Sequence, residues 1–185
     1  MAAIVVEDIQ AAAPLARVVA ELLARIEKPN NPCWNLHRVA PSRDALLVVA
    51  AYMQDRGYPV ALPADLGAGL LASVMLAEVH YARAAGARVV SGLCAHQDNY
   101  AGVSAECNSL IVYAANTADG GGLIHWTGDE DPTLSGRPGV LLSTAPPAGC
   151  MRAVLIPGNV WHAPEDLDGY GVRESFVFQC RTGLG

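Results

Sequence analysis

Two residues that can bind a metal ion stand close together in the stretch "CAHQDNYAG", where His96 and Asp98 are two positions apart. On an extended chain, side chains two positions apart point to the same face, so one atom could contact both. An imidazole and a carboxylate are both common ligands of divalent metal ions. The spacing therefore predicts a metal site, for which the chain must supply a third ligand.

His162 is the best candidate for that third ligand among the other histidines. It follows "AVLIPGNVW", which is typical of a strand and a Pro-Gly turn, so its imidazole would lie at a strand end where a pocket can open. Two imidazoles and one carboxylate on a rigid sheet bind Fe(II) on one face and leave the opposite positions open for a cosubstrate and oxygen.

A binding site for a carboxylate is predicted on the last strand. Arg173 stands eleven residues after His162, and Ser175, two positions further on, shares its face of the strand. A guanidinium group can bind a carboxylate through two parallel hydrogen bonds, and a hydroxyl adds another donor. The pair therefore predicts recognition of the distal carboxylate of a ligand.

The elements that must position these side chains change in character near residue 87. Before it, apolar residues recur at helical spacing in three runs, of which the first could be capped by Asp8 and the second ended by Gly57. The runs span residues 7–28, 42–57 and 66–85. After it, short apolar or alternating runs between turn residues, beginning with "ARVVSGLCAH", predict an antiparallel sandwich or small barrel.

We therefore expect one domain, residues 1–185, with a mainly β fold and N-terminal helices, of the α+β class. Residues 1–86 would form a mainly helical support, and residues 87–182 would form the catalytic core. The length of 185 residues and the hydrophobic fraction of 52% are sufficient for one packed core.

The composition also limits the partners and the compartment. The net charge is -6, and the 12 lysine and arginine residues are spread along the chain, so no nucleic-acid partner is expected. No export signal is visible at the N-terminus, and charged residues interrupt the longest apolar run, so no membrane association is expected. The 5 cysteines show no Cys-x-x-Cys spacing, which favours reduced thiols and a cytoplasmic location.

The order of these residues resembles that of the Fe(II)/2-oxoglutarate-dependent oxygenases. His-x-Asp (His96, Asp98), a distant histidine (His162) and Arg-x-Ser (Arg173, Ser175) follow one another as in that family. The stretches "GGGLIHW" and "LIPGNVWHAPEDLDGYGVRESFVFQ" are also similar to the family's Gly-Gly strand start and closing strands. The resemblance covers about residues 87–182 and implies a double-stranded β-helix, the jelly-roll or cupin-like core.

The resemblance implies an enzyme that uses Fe(II), 2-oxoglutarate and O2. His96, Asp98 and His162 would hold the iron, while Arg173 and Ser175 would hold the far carboxylate of 2-oxoglutarate. The default reaction is hydroxylation, here of a small molecule such as an amino acid or a natural-product intermediate. Desaturation, epoxidation and cyclisation use the same centre, and substrate placement decides between them.

Several further residues could line the substrate pocket because they flank the predicted ligands or occupy a neighbouring strand. They are Asn99, Tyr100, His125, Trp126 and Trp161. His125 and Trp126 are equally compatible with simple strand packing, and Asn99, Tyr100 and Trp161 could equally be framework. We interpret the remaining histidines, His37 and His80, as structural, with His80 on a helix.

Three alternatives remain at the level of the sequence. The protein could be a protein or peptide hydroxylase of the same superfamily, although "GGGL" lacks the acidic residue that often follows the two glycines in the prolyl-hydroxylase branch. It could be a non-catalytic, cupin-like metal-binding protein. A zinc hydrolase would leave the Arg173 and Ser175 pair unexplained and usually needs an additional base. The nucleic-acid demethylase branch is disfavoured, because Gln179 stands where that branch has an arginine.

Overall fold

The computed structural model describes residues 3–62, 75–98 and 107–183. The elements in chain order are β1 (Val5–Gln10), α1 (Pro14–Leu23), β2 (Cys33–Arg38), α2 (Arg43–Gln54), β3 (Met75–Ala85), β4 (Cys107–Asn116), β5 (Asp119–Gly120), β6 (Leu123–Trp126), α3 (Pro132–Ser135), β7 (Val140–Leu142), β8 (Cys150–Pro157), β9 (Trp161–Pro164), β10 (Leu167–Asp168) and β11 (Tyr170–Arg181).

Most of these strands belong to one antiparallel sheet. Among the described residues, its six strands lie in the order β1-β8-β4-β11-β3-β2. A smaller three-stranded sheet has the order β7-β6-β9, and β10 pairs with β5. The protein is therefore mainly β with few helices, as the sequence predicted.

Alternation along the strands gives the larger sheet two different faces. On β11, Phe176 and Phe178 are fully buried in the main hydrophobic core, which also contains the apolar side of α1 and α2. The intervening residues of the same strand point to the opposite face, because successive side chains in a strand alternate. That opposite face carries the polar residues of the candidate site, and the helices cover the other.

The predicted helix over residues 66–85 is wrong in its described part, since Met75–Ala85 is the strand β3. β3 lies between β11 and β2; it pairs with β11 along its whole length and with β2 over residues 78–83. Strands that are covered on both faces carry apolar residues without a clean alternation, so their sequence is easily taken for a buried helix. The earlier part of this run, residues 66–74, lies outside the described residues.

The described part of residues 1–86 is not mainly helical, because three of the six strands of the larger sheet, β1, β2 and β3, come from it. Asp8 does not cap a helix; it lies in β1, where it bonds to Arg152. The helix α1 starts six residues later, at Pro14, with Ala13 as its N-cap. The helix α2 is as predicted, and the chain turns at Gly57 with φ 78°.

The stretch "ARVVSGLCAH", predicted as a strand, pairs only through two isolated bridges, Val89 with Leu167 and His96 with His162. Gly92 interrupts it with φ 68°, a left-handed conformation that breaks an extended ladder. No helix in the described residues is long and apolar enough to cross a membrane.

Candidate active site

His96 and His162 are placed side by side by their own backbones. The N–H of His96 donates to the carbonyl of His162 at 3.0 Å, and the N–H of His162 donates to the carbonyl of His96 at 2.9 Å. The two rings consequently lie with their centroids 4.5 Å apart. An antiparallel bridge is among the most rigid ways to fix two side chains from distant parts of a chain, so the imidazole pair is preorganised.

The two imidazoles are also oriented through their second nitrogen. Nδ1 of His96 lies 2.9 Å from the carbonyl of Cys94, and Nδ1 of His162 lies 3.0 Å from the carbonyl of Val160. A carbonyl only accepts, so each Nδ1 carries the proton and each Nε2 presents a lone pair. Burial lowers the pKa of His162, which favours the neutral ring that a metal ion needs.

Asp98 completes the cluster. Its Oδ1 lies 3.8 Å from Nε2 of His96, and its Oδ2 lies 3.7 Å from Nε2 of His162. The ligand atoms of the three residues all lie within 4.8 Å of one another. Two imidazole nitrogens and one carboxylate oxygen at this spacing could surround one divalent ion and leave the remaining coordination positions open.

Two residues that the sequence analysis missed hold the Asp98 carboxylate. Ser109 on β4 donates from its hydroxyl to Oδ2, and Gln179 on β11 donates from Nε2 to Oδ1 at 2.6 Å. Ser109 and Gln179 are directly opposite each other in the register of the two strands. The available signal was alternation, since Gln179 shares a face of β11 with Arg173 and Ser175.

Arg173 is buried, with 2% of its surface exposed, and lies between two aromatic rings. Its guanidinium carbon is 5.0 Å from the centroid of Trp34 and 5.1 Å from that of Tyr113, and its Nη2 donates to the Tyr113 hydroxyl at 3.3 Å. Burial raises the pKa of Tyr113, so its phenol keeps a proton to donate. Trp34 and Tyr113 are contacts that the sequence analysis did not identify.

Some polar atoms at Arg173 lack hydrogen-bond partners among the described residues. Among the described residues, Nε and Nη1 of Arg173 and the hydroxyl of Ser175 are buried without a hydrogen bond. A buried cation is costly unless an anion compensates it, and buried donors are normally paired. A carboxylate group would supply both the charge and the acceptors, so these residues fit the distal carboxylate of 2-oxoglutarate.

One cavity of about 420 Å³ reaches both groups. Its lining includes His96, His162, Arg173 and Gln179. Gln179 donates to the Asp98 carboxylate. It lies six residues from Arg173 on the same face of β11. The His96, Asp98 and His162 side chains and the Arg173 guanidinium therefore occupy two positions along a single cavity. A dicarboxylate that chelates iron at one end would require this arrangement.

The other predicted pocket residues have different positions. His125, Trp126 and Trp161 lie on the smaller sheet and are not among the described residues that line this cavity. The indoles of Trp126 and Trp161 donate to the carbonyls of Arg137 and Asp129. Asn99 and Tyr100 lie outside the described residues.

His80, interpreted from the sequence as a structural residue on a helix, instead lies on β3 and lines the cavity, while His37 lies on β2. The helical reading failed because the strand is covered on both faces. Burial lowers the pKa of His80, and its Nε2 has no hydrogen-bond partner among the described residues. His80 is therefore a cavity residue of unassigned role.

Comparison with protein-family models gives no match, and a search of curated proteins also gives none. The fold has similar solved structures. An oxidoreductase of the 2OG-Fe(II) oxygenase family from Burkholderia pseudomallei aligns with TM-score 0.61 at 13% identity, over 98% of this chain and 85% of that one. A prolyl hydroxylase from Trichoplax adhaerens, solved with a hypoxia inducible factor peptide fragment, aligns with TM-score 0.57 at 9% identity, over 98% of this chain and 84% of that one.

A third structure, described as IDO from Bacillus thuringiensis, aligns with TM-score 0.50 at 10% identity, over 97% of this chain and 90% of that one. Identities this low establish a shared fold rather than a shared substrate. The protein therefore has the fold found in 2OG-Fe(II) oxygenases, and within that fold it brings together a His-Asp-His cluster able to hold a metal ion.

Proposed function

We propose that this protein is an Fe(II)- and 2-oxoglutarate-dependent oxygenase that hydroxylates a small molecule. The observation that carries the proposal is the presence of two features at one cavity. They are the His96, Asp98 and His162 cluster and the buried guanidinium of Arg173, two of whose nitrogens have no hydrogen bond among the described residues. A zinc hydrolase or a simple metal store has no use for the second feature. The two sheets would correspond to the double-stranded β-helix of the family.

The three ligands would hold iron, while Arg173, Ser175 and Tyr113 would hold the distal carboxylate of 2-oxoglutarate. When bound, iron and 2-oxoglutarate supply the activation of O2, by which one oxygen atom enters a substrate C–H bond and the other enters succinate, with release of carbon dioxide. The chain contributes orientation: Ser109 and Gln179 fix Asp98, and the backbone carbonyls of Cys94 and Val160 fix the imidazoles.

A peptide hydroxylase is the second candidate, and the structural likeness to a prolyl hydroxylase solved with a peptide favours keeping it. The cavity volume of about 420 Å³ lies in the range of small-molecule sites and is compatible with a small-molecule substrate. We also propose a cytoplasmic location, because reduced thiols such as the buried Cys180 are typical of reducing compartments.

The proposal is tested with anaerobically purified protein. It should bind one equivalent of Fe(II), and in air it should convert 2-oxoglutarate into succinate and carbon dioxide, faster in the presence of a productive substrate. Screening pools of metabolites and peptides for that acceleration separates the two substrate classes. Protein that holds iron but never releases succinate would indicate a non-catalytic metal-binding protein and would contradict the proposal.

A further inference from the structure

Three charged or polar side chains in the same cavity have no role in the proposed chemistry. Glu78 and His80 on β3, and Arg38 on β2, line the cavity together with His96 and His162. In the register of the strands, Arg38 is opposite Glu78, and Glu78 is opposite Val177 of β11. Glu78 and His80 therefore lie on the strand next to β11, and Arg38 lies one strand further out. All three are beside the part of the sheet that carries Arg173 and Gln179.

Glu78 is a fixed negative charge in the cavity wall. Its side chain is only 14% exposed, and its Oε2 lies 3.6 Å from Nε2 of His80, which is too long for a good hydrogen bond. The neighbouring His80 and then Arg38 hold the pKa of Glu78 below its ordinary value, against the effect of burial. The carboxylate is therefore ionised at neutral pH, and among the described residues it accepts a side-chain hydrogen bond only from Arg38.

Arg38 is the exposed partner of this carboxylate. Its Nε donates to Oε1 of Glu78 at 3.2 Å, yet its side chain is 77% exposed, which places the guanidinium at the solvent end of the cavity. Exposed ion pairs contribute little to stability, because water and salt compete for both charges. A ligand that offers both a cation and an anion can exchange this pair for two new ones.

The charges of the cavity also indicate what kind of ligand it accepts. Among the described residues at the site, two guanidinium groups, Arg38 and Arg173, are matched by two carboxylates, Glu78 and Asp98. Iron(II) and the 2-oxoglutarate dianion would cancel each other. A substrate with no net charge preserves this balance, whereas a net cation or anion would bring an uncompensated charge into a partly buried site.

The remaining wall near these side chains is apolar, with Leu36, Leu93, Ile111 and Val177 in the lining. From these observations, and resting on the proposed function, we infer that the prime substrate is a free zwitterionic α-amino acid with an apolar side chain. Its ammonium group would bind Glu78 and its carboxylate would bind Arg38. The two groups share one carbon in such a molecule, which matches the close approach of the two protein charges.

A residue within a peptide chain has neither a free ammonium nor a free carboxylate, so the inference separates the two substrate classes. The experiment uses the full-length, Fe(II)-loaded protein and each of the standard L-amino acids, with the best ones also tested as N-acetyl and methyl ester forms. We expect one or more apolar amino acids to increase succinate release at least about tenfold over protein without substrate. Both blocked forms should lose most of that increase.

Binding is measured separately, by calorimetric titration of the amino acid into anaerobic protein that carries Fe(II) and 2-oxoglutarate. Glu78→Gln keeps the shape of the side chain and removes its charge, so the affinity for the free amino acid should fall by about 30-fold or more. Arg38→Gln should reduce it less, by roughly 3- to 10-fold, because this side chain is exposed. Arg25→Gln, which breaks the exposed pair with Glu21 on α1, is the matched control and should change nothing.

The preference for the free amino acid over its blocked forms distinguishes direct contact with the substrate from a purely structural role of Glu78 or Arg38. In Glu78→Gln the advantage of the free amino acid over its N-acetyl form should shrink, while its advantage over the methyl ester persists. In Arg38→Gln the reverse is expected. Blocked forms that bind and react as well as the free amino acid would overturn the inference, as would peptides or charged amino acids as the best substrates.

Failure of this inference can be told apart from failure of the proposed function. Protein that binds Fe(II) and 2-oxoglutarate and releases succinate, but responds to no free amino acid, overturns only the substrate assignment. Protein that binds no 2-oxoglutarate overturns the proposed function on which the assignment rests.

Discussion

The two ends of the cavity differ in how completely their polar atoms are paired. At the first end, the Nδ1 atoms of His96 and His162 each face a backbone carbonyl, and both oxygens of Asp98 accept a hydrogen bond. At Arg173, two guanidinium nitrogens and the nearby Ser175 hydroxyl are buried without a hydrogen-bond partner among the described residues. The His96, Asp98 and His162 end is held in place by the protein, whereas the Arg173 end would be completed by a ligand.

This difference has an energetic consequence. A carboxylate bound at Arg173 would remove the cost of a buried, unpaired charge, so we expect that end to determine the affinity for the cosubstrate. The metal end gains coordination bonds without having to reorganise, since its ligands are already oriented. Substitutions at one end should therefore weaken the binding of Fe(II), and substitutions at the other end should weaken the binding of 2-oxoglutarate. The largest losses are expected at the residues that coordinate the metal.

The largest effect is expected from loss of a metal ligand. Replacing His96, Asp98 or His162 with alanine should strongly reduce the Fe(II) affinity. The loss should exceed the roughly 10- to 100-fold that is usual when a residue that hydrogen-bonds to a metal ligand is replaced. Turnover should fall with it, while the circular dichroism spectrum remains that of the folded protein. Normal iron content and activity in all three variants would show that the metal is bound elsewhere.

Arg173→Gln should weaken 2-oxoglutarate binding by about 30-fold to several thousand-fold, equivalent to roughly 2 to 5 kcal/mol. The variant removes the charge that pairs with the distal carboxylate and touches none of the metal ligands. Its Fe(II) affinity, measured by anaerobic titration, should stay close to that of the unmodified protein. Equal loss of iron and of 2-oxoglutarate would mean that the guanidinium instead supports the fold of the whole site.

Loss of the groups that hold Asp98 should have an intermediate effect, confined to the metal end. Ser109→Ala and Gln179→Leu each remove one hydrogen bond to this carboxylate, so each should weaken Fe(II) binding by about 10- to 100-fold. Iron affinity is compared with 2-oxoglutarate affinity at saturating iron. An unchanged iron affinity in both variants would show that Asp98 needs neither partner.

Ser175→Ala should have the smallest effect and the opposite selectivity. A neutral hydrogen bond contributes about 1 kcal/mol, so 2-oxoglutarate should bind roughly fivefold more weakly, with no change in iron affinity. Ser109 and Ser175 are both fully buried serines on the same face of neighbouring strands, which makes the two alanine variants controls for each other. Identical behaviour of the pair would remove the distinction between the two ends.

Residue type and spacing predicted His96, Asp98, His162, Arg173 and Ser175 as site residues, and the structure brings the first three within reach of one metal ion. His96 and Asp98 are neighbours in sequence, and Arg173 follows His162 closely, so local patterns sufficed. Ser109 and Gln179 could not be identified this way, because they contact Asp98 across 11 and 81 residues of sequence and depend on the register of two strands. Ordinary serine and glutamine gain their role only from that pairing.

The fold was predictable to a similar degree. Short alternating runs after residue 87 indicated a mainly β core, and α2 has a regular apolar face that begins at a serine N-cap. β3 was mistaken for a helix because its alanine-rich sequence locally favours a helix, whereas pairing with two neighbouring strands decides its conformation. That error also concealed Glu78 and His80 as cavity residues.

We propose that one cavity holds iron at one position and the distal carboxylate of 2-oxoglutarate at another. The most direct test is titration of 2-oxoglutarate into anaerobic, Fe(II)-loaded protein, followed by the metal-to-ligand charge-transfer absorbance. We predict a saturable absorbance band in the unmodified protein, which Arg173→Gln shifts to much higher 2-oxoglutarate concentration without loss of iron. Absence of the band in iron-loaded protein, or an unchanged titration in Arg173→Gln, would contradict the claim.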